Sequence, residues 1–396
     1  AAAMLNSLLV ILAAGLAGGL MLWPRIAQSK GWKATITPLA SIIGSGFLVL
    51  GPVLLDHFGP YAPAVMAGLC LLAYGFGASI RANIRRLDAG APVQERAETI
   101  SAWILAFAYI ISVAYYLNLF GAFAVSLFPA LSDLAARLVT SGIYFVILLT
   151  GLRGGFHALE RLEQVSVGVK LAIIAGLLAA LGGDVVQGGA IASHPIPKMS
   201  GWGAIALSLG LLVTVQGFET SRYLGGEYPA ELRIRSMRWA QGLSSLIYIA
   251  YIGLIVALFS ADDFPFSETA VIDMMARVAP ILPPLLVIAA LSAQFSAAVA
   301  DTGGAGGLFS ELTRGRIGVR HGYVLLVGAG LALTWALNVF EIIAWASRAF
   351  AAYYAVQAGI AGRYAFAEGK RAQGAGAFAL MAVGLVAAVF GVAVDA

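Results

Sequence analysis

The chain has one cysteine, Cys70, among 396 residues. No intramolecular disulfide can form, and no thiolate metal site is suggested. Histidine is nearly as scarce: four copies, all in or near the loops between apolar stretches, give a multi-histidine catalytic centre too little material. Charge is the third shortage. Asp, Glu, Lys and Arg make up 11% of the chain, against about a quarter in a soluble globular domain. The net charge of +4 is small and no Lys/Arg-rich arm occurs, so nucleic acid is not an expected partner. There is no nucleophile–base motif, metal-ligand pair or phosphate loop. The chain does not read as an enzyme, and neither cofactor nor metal is expected.

Apolar residues are what the sequence has in excess, at 60%. They fall into twelve segments of roughly 20 residues, the length that spans hydrocarbon as a helix, separated by short charged clusters. The segments lie at 4–23, 35–55, 61–82, 98–124, 133–152, 163–182, 203–224, 237–260, 284–312, 321–338, 341–364 and 374–394. A β-barrel would need strict alternation, which is absent. The first segment has no basic stretch before it and ends in Trp23-Pro24-Arg25, so it reads as a retained helix rather than a signal peptide. The expected fold is all-α and integral to the membrane, with lipid as its solvent and the cell (inner) membrane as its location.

Orientation follows from the basic residues. Loops of one parity hold nineteen Lys and Arg, and loops of the other hold three. The basic loops therefore face the cytoplasm, which places segment 35–55 entering from inside and both termini outside.

Two segments contain more helix breakers than a plain span requires. Ser41-Ile42-Ile43-Gly44-Ser45-Gly46-Phe47 places two glycines around a serine at mid-depth, between Pro38 and Pro52. Thr214-Val215-Gln216-Gly217-Phe218-Glu219-Thr220 places glycine, glutamine and a carboxylate at mid-depth. A glycine in a membrane helix is often only a packing contact. These two sites, however, lie five segments apart, so the halves that contain them thread the bilayer in opposite senses. Matched breaks in inverted halves point to a transport site. Unwound backbone at that depth must line a protected cavity. Its free N–H groups attract a carboxylate, and its free carbonyls attract an ammonium or a metal cation.

These residues resemble the amino acid–polyamine–organocation (APC) superfamily, whose fold is the LeuT-type five-plus-five inverted repeat. Ile43-Gly44-Ser45-Gly46-Phe47 is similar to its first-helix signature, and Gly217-Phe218-Glu219 with Gly226-Glu227 to its sixth-helix signature. Thr150-Gly151-Leu152-Arg153-Gly154-Gly155, followed by Glu163 to Lys170-Leu171, is similar to its fourth–fifth helix junction, including the lysine. The likeness covers about residues 34–365. It implies an extra helix and cytoplasmic linker at 1–33, a first repeat at 34–182 and an extracellular loop at 183–202. An inverted repeat at 203–365 and a last helix at 366–396 complete the chain. The extra first helix, the single helix at the end and the run Asp301-Thr302-Gly303-Gly304-Ala305-Gly306-Gly307 depart from the family pattern.

By this resemblance Gly44, Ser45 and Gly46 would offer N–H donors to a substrate carboxylate. Carbonyls near Ser41, Gln216 and Gly217 would face its ammonium, and Phe218 and Tyr109 would be gates. Lys170 would place its ammonium where sodium-coupled relatives hold sodium; the alternative is a lysine snorkelling to the interface. Asp301 would lie beside that position, forming a protonatable couple with Lys170, a static ion pair or a sodium ligand. Glu219 could bind a substrate ammonium, carry a coupling proton, or pair with Arg222 three residues on. The expected function is a secondary transporter of a small amino acid, amine or related organic ion, zwitterionic or cationic, coupled to protons or acting as an exchanger. Two alternatives stand beside it: a transporter-like receptor or subunit of a larger complex, with a partner subunit or a second copy, and a sodium-coupled symporter.

Overall fold

The computed structural model describes residues 2–44, 46–128, 130–153, 157–188 and 192–394, with side chains described outside 157–164. Its helices in chain order are α1 (Ala2–Leu22), α2 (Pro24–Ala27), α3 (Lys30–Ile42), α4 (Gly46–Phe58), α5 (Ala62–Asp88) and α6 (Glu95–Val125). Next come α7 (Asp133–Arg153), α8 (His157–Val186), α9 (Gly201–Gly210), α10 (Thr220–Tyr223), α11 (Ala230–Leu258) and α12 (Ala270–Val278). The last are α13 (Leu282–Leu312), α14 (Val319–Ala336), α15 (Val339–Ala367) and α16 (Arg371–Phe390). No strand occurs among the described residues, as expected where backbone groups must be satisfied within each segment.

Eight stretches among the described residues are long and apolar enough to cross a membrane. The twelve expected crossings are thus not twelve uniform apolar helices. Segments 35–55 and 203–224 are each divided into short pieces, and α4 runs on through one tight turn into α5. Arg320 and His321 dilute α14, while Arg348 and Gln357 dilute α15. The polar stretch 261–283 is not a free loop: it contains α12, whose apolar face is buried against α4, α8 and α13.

The core is formed by α6 packed along α13 and α15, with α11 closing on α3 and α5. Small residues on α6, including Ala106, Ala108, Ala114 and Gly121, are buried and let neighbouring backbones approach. The periphery differs. α1 lies along α8 and leaves Leu8, Ile11, Leu12 and Leu16 exposed, a surface suited to lipid. α16 lies along α15. Helix starts are capped where the sequence allows: the Ser29 side chain accepts from Trp32 N, and Asn338 forms a reciprocal capping box with Glu341. Glu341 is thus occupied at its own helix end.

Candidate functional site

The first break comes at the end of α3. Its last backbone bond joins Ile43 N to the Leu39 carbonyl at 3.0 Å, and Ile43 then leaves the helix with φ −86° and ψ 70°. α4 begins afresh at Gly46. Ser45, at the centre of the expected unwound segment, lies outside the described residues, as do Gly154 and Gly155 of the junction motif; the Glu163 side chain is not described. Ending α3 here frees carbonyls of its last turn. The Lys170 ammonium, on α8, donates to one of them, Ala40 O, at 3.0 Å. Lys170 is only 4% exposed, so it does not snorkel. Gly44 and Phe47 line the small apolar gap beside it, together with Ala289 and Ala290 of α13.

The second break is longer. After α9 ends at Gly210, a tight 3-10 turn covers Leu212–Val215, Gln216 is extended (φ −80°, ψ 173°), and α10 starts at Thr220. Gly217 has φ +116°, in the region that favours glycine. A Cβ there would lie 2.7 Å from the Ser41 carbonyl carbon and 2.8 Å from Ile42 N. The two breaks therefore touch backbone to backbone. The Tyr248 hydroxyl, from α11, stands 2.9 Å from Ile42 O and 2.6 Å from Thr214 O, so one proton serves a carbonyl of each break. Val213 N donates to the Ser347 hydroxyl at 2.9 Å, and the Thr220 hydroxyl donates to Gly217 O at 2.7 Å. These side chains take over the backbone groups that the missing helical turns leave open.

Two carboxylates stand close by. Glu219 is 1% exposed. Its Oε2 accepts from Gly217 N at 3.0 Å and from the Tyr354 hydroxyl of α15 at 2.7 Å, whereas Oε1 is buried with no hydrogen-bond partner among the described residues. Asp301, on α13, accepts from the Ser112 hydroxyl of α6. Tyr109 and Tyr116 of α6 are buried within electrostatic range of both acids. Gln216 Nε2 donates to the Tyr116 hydroxyl at 2.9 Å, and Gln216 Oε1 is another buried acceptor without a donor.

The local pairing of Glu219 with Arg222 is overturned. Arg222 instead places Nη2 2.7 Å from Glu98 Oε2 at the start of α6, and donates to Gln357 Oε1 of α15. Gln357 Nε2 continues to the Ser101 hydroxyl at 2.8 Å, Asn83 Nδ2 donates to Gln357 O at 2.9 Å, and Arg233 donates to Arg222 O at 2.8 Å. This knot ties α5, α6, α10, α11 and α15 together at the basic end of the bundle.

The remaining expected residues divide by surroundings. Phe218 is fully buried and stacked on Tyr354, centroids 4.9 Å apart, and Phe76 also stacks on that ring at 5.2 Å. Tyr109 meets Phe350 edge-on at 6.2 Å. A Cβ on Gly44 would find only ordinary contact, 3.7 Å from the Tyr116 ring, but a Cβ on Gly46 would strike the Tyr115 hydroxyl. Packing against Tyr115 thus asks for glycine at Gly46. Trp345 is half exposed on the outer surface. Sequence reasoning missed Tyr248, Ser347, Tyr354 and the Glu98–Gln357 knot. Their signal was faint: Tyr248, Ser347 and Tyr354 are single polar groups within long membrane helices.

A family model described as APC superfamily transporter matches residues 24–391. A protein of Aquifex aeolicus (strain VF5), described only as an uncharacterized protein, is 41% identical over 360 residues, 88% of each chain.

Proposed function

The chain belongs to the APC superfamily of transporters, and on that premise we propose that it is a secondary active transporter of the cell (inner) membrane, moving a small amino acid, amine or related organic ion by alternating access. The observation that carries this reading is the pair of buried acceptors at the second break, Glu219 Oε1 and Gln216 Oε1, which have no donor among the described residues. Buried acceptors are normally satisfied. A substrate ammonium supplies donors of the right charge, and the N-terminus of α4 at Gly46 presents the positive end of a helix to a substrate carboxylate. Tyr109, Tyr116 and the Phe218–Tyr354 stack would wall the space.

The two breaks, five segments apart and in mutual contact, support an inverted-repeat arrangement of 34–182 and 203–365. The knot around Arg222 is suited to hold the cytoplasmic side closed. For coupling, Lys170 puts its ammonium on the Ala40 carbonyl, where a sodium ion would otherwise find its oxygen ligand. That favours protons or exchange over sodium. Glu219 carries the proton: its Oε2 is held by two donors while Oε1 is open to a proton or an ammonium.

Ligand-induced thermal stabilisation tests the substrate class. Purified protein is heated with a panel of amino acids, amines and des-amino carboxylates. Solutes bearing an ammonium group should raise the melting temperature, and Glu219→Gln should make the shift smaller without removing it. Stabilisation by the des-amino carboxylates alone would refute the reading.

A further inference from the structure

Away from the breaks, α5, α11, α15 and α16 enclose a pocket of about 450 Å³. Arg81, Arg85, Arg86 and Arg238 line it, and no carboxylate does. Arg86 has its own counter-ion, with Nε 2.7 Å from Glu368 Oε1. The other three have none among the described residues. Arg81 is 3% exposed, and its guanidinium donates only to neutral acceptors, Gln241 Oε1 and the Tyr74 carbonyl, while lying 4.5 Å from the centre of the Tyr74 ring. Arg85 and Arg238 are close enough to repel its charge. Both are exposed, and neither makes a side-chain hydrogen bond or ion pair among the described residues. Elsewhere at this end, Arg222 has Glu98. A buried cation with only neutral partners and two like charges beside it is an arrangement that an anion completes.

We propose that this pocket binds the phosphate of an anionic phospholipid headgroup. Guanidinium forks match phosphate oxygens in geometry and charge. A free phosphate would suit the arginines equally well, but the walls favour a lipid. Ala78, Gly376, Ala377 and Leu380 continue the pocket as a low apolar surface along α5 and α16, where an acyl chain can lie. Trp239, next to Arg238, is exposed, as is typical of the level at which headgroups sit. A loop rich in arginine beside a membrane helix also attracts anionic lipid from the surrounding leaflet.

Native mass spectrometry of the full chain in detergent, titrated with phosphatidylglycerol or phosphatidylcholine of equal chain length, tests the proposal. One phosphatidylglycerol should be retained in preference to phosphatidylcholine. Arg85→Gln with Arg238→Gln, both at exposed positions, should weaken that retention by about five-fold per arginine. Arg320→Gln, on α14, should leave it unchanged. Millimolar inorganic phosphate should not displace the lipid. Equal retention of the two lipids, or undiminished preference in the double variant, would overturn the proposal. Displacement by inorganic phosphate would overturn the lipid as the source of the phosphate.

Discussion

Gly217 stands against Ser41 so closely that a methyl group on the glycine would press into the serine's backbone, 2.7 Å from its carbonyl carbon. The two interrupted segments are therefore one site, not two. With φ at +116° as well, Gly217 has both a conformational and a steric reason to be glycine.

Gly217→Ala should cost about 2 kcal/mol or more of stability, because neither strain nor clash can be relieved without separating the breaks. Gly44→Ala, with only ordinary contact at its Cβ position, should cost about 1 kcal/mol or less. Thermal unfolding of the two variants in the same detergent checks the contrast. Equal melting temperatures would mean that the breaks do not depend on their contact.

The Glu98–Arg222 pair makes a separate prediction about access. Glu98→Gln removes the carboxylate that holds α10 to α6, and breaking a largely buried ion pair costs on the order of 3 kcal/mol. If that pair closes the cytoplasmic side, a cysteine at Gly44 should react several-fold faster with an impermeant reagent applied from that side in the Glu98→Gln background. The native Cys70 is buried and adds little background. Unchanged reactivity would assign the pair a purely structural role.

At the foot of α15, Lys370 and then Arg86 hold the Glu368 carboxyl below the usual carboxylate range. A carboxyl group lowered in the folded state contributes stability above its unfolded pKa and loses it as pH falls through the lower folded value. The melting-temperature difference between wild type and Glu368→Gln should therefore be present at about pH 7 and vanish in acid below about pH 4. It should also shrink in high salt, because the group is at the surface. A difference independent of both pH and salt would show that these ion pairs are not its source.

Much of the fold was legible because membrane physics acts on composition. Apolar length and charge clustering located the helices, and the glycines of 44–46 and 217 located the breaks, since few other residues tolerate such backbone. The site was legible only where chemistry sat on the break itself. Lys170 was visible as a lone cation in an apolar run, but its acceptor, Ala40 O, is a backbone atom with no sequence signature. Helical spacing offered Glu219 as one alternative partner for Arg222, whereas the partner it meets, Glu98, is 124 residues away. Tyr248 and Tyr354 looked like ordinary aromatics of membrane helices, and only the crossing of α11 and α15 over the breaks gives their hydroxyls partners. α12 escaped notice because a nine-residue amphipathic helix is too short to register as a span.

The central claim is proton-linked transport at the paired breaks, and uptake into proteoliposomes tests it most directly. Labelled amino acids and amines would be offered under an imposed pH gradient and, separately, under a sodium gradient. Wild-type protein should take up an ammonium-bearing solute saturably when the outside is acidic, with sodium having little effect. Glu219→Gln keeps an oxygen for Gly217 N and Tyr354 Oη, so the protein should fold and still exchange solute while losing the response to pH; Lys170→Ala should flatten that response as well. Uptake that requires sodium and ignores the pH gradient, or a pH response that survives Glu219→Gln, would contradict the account.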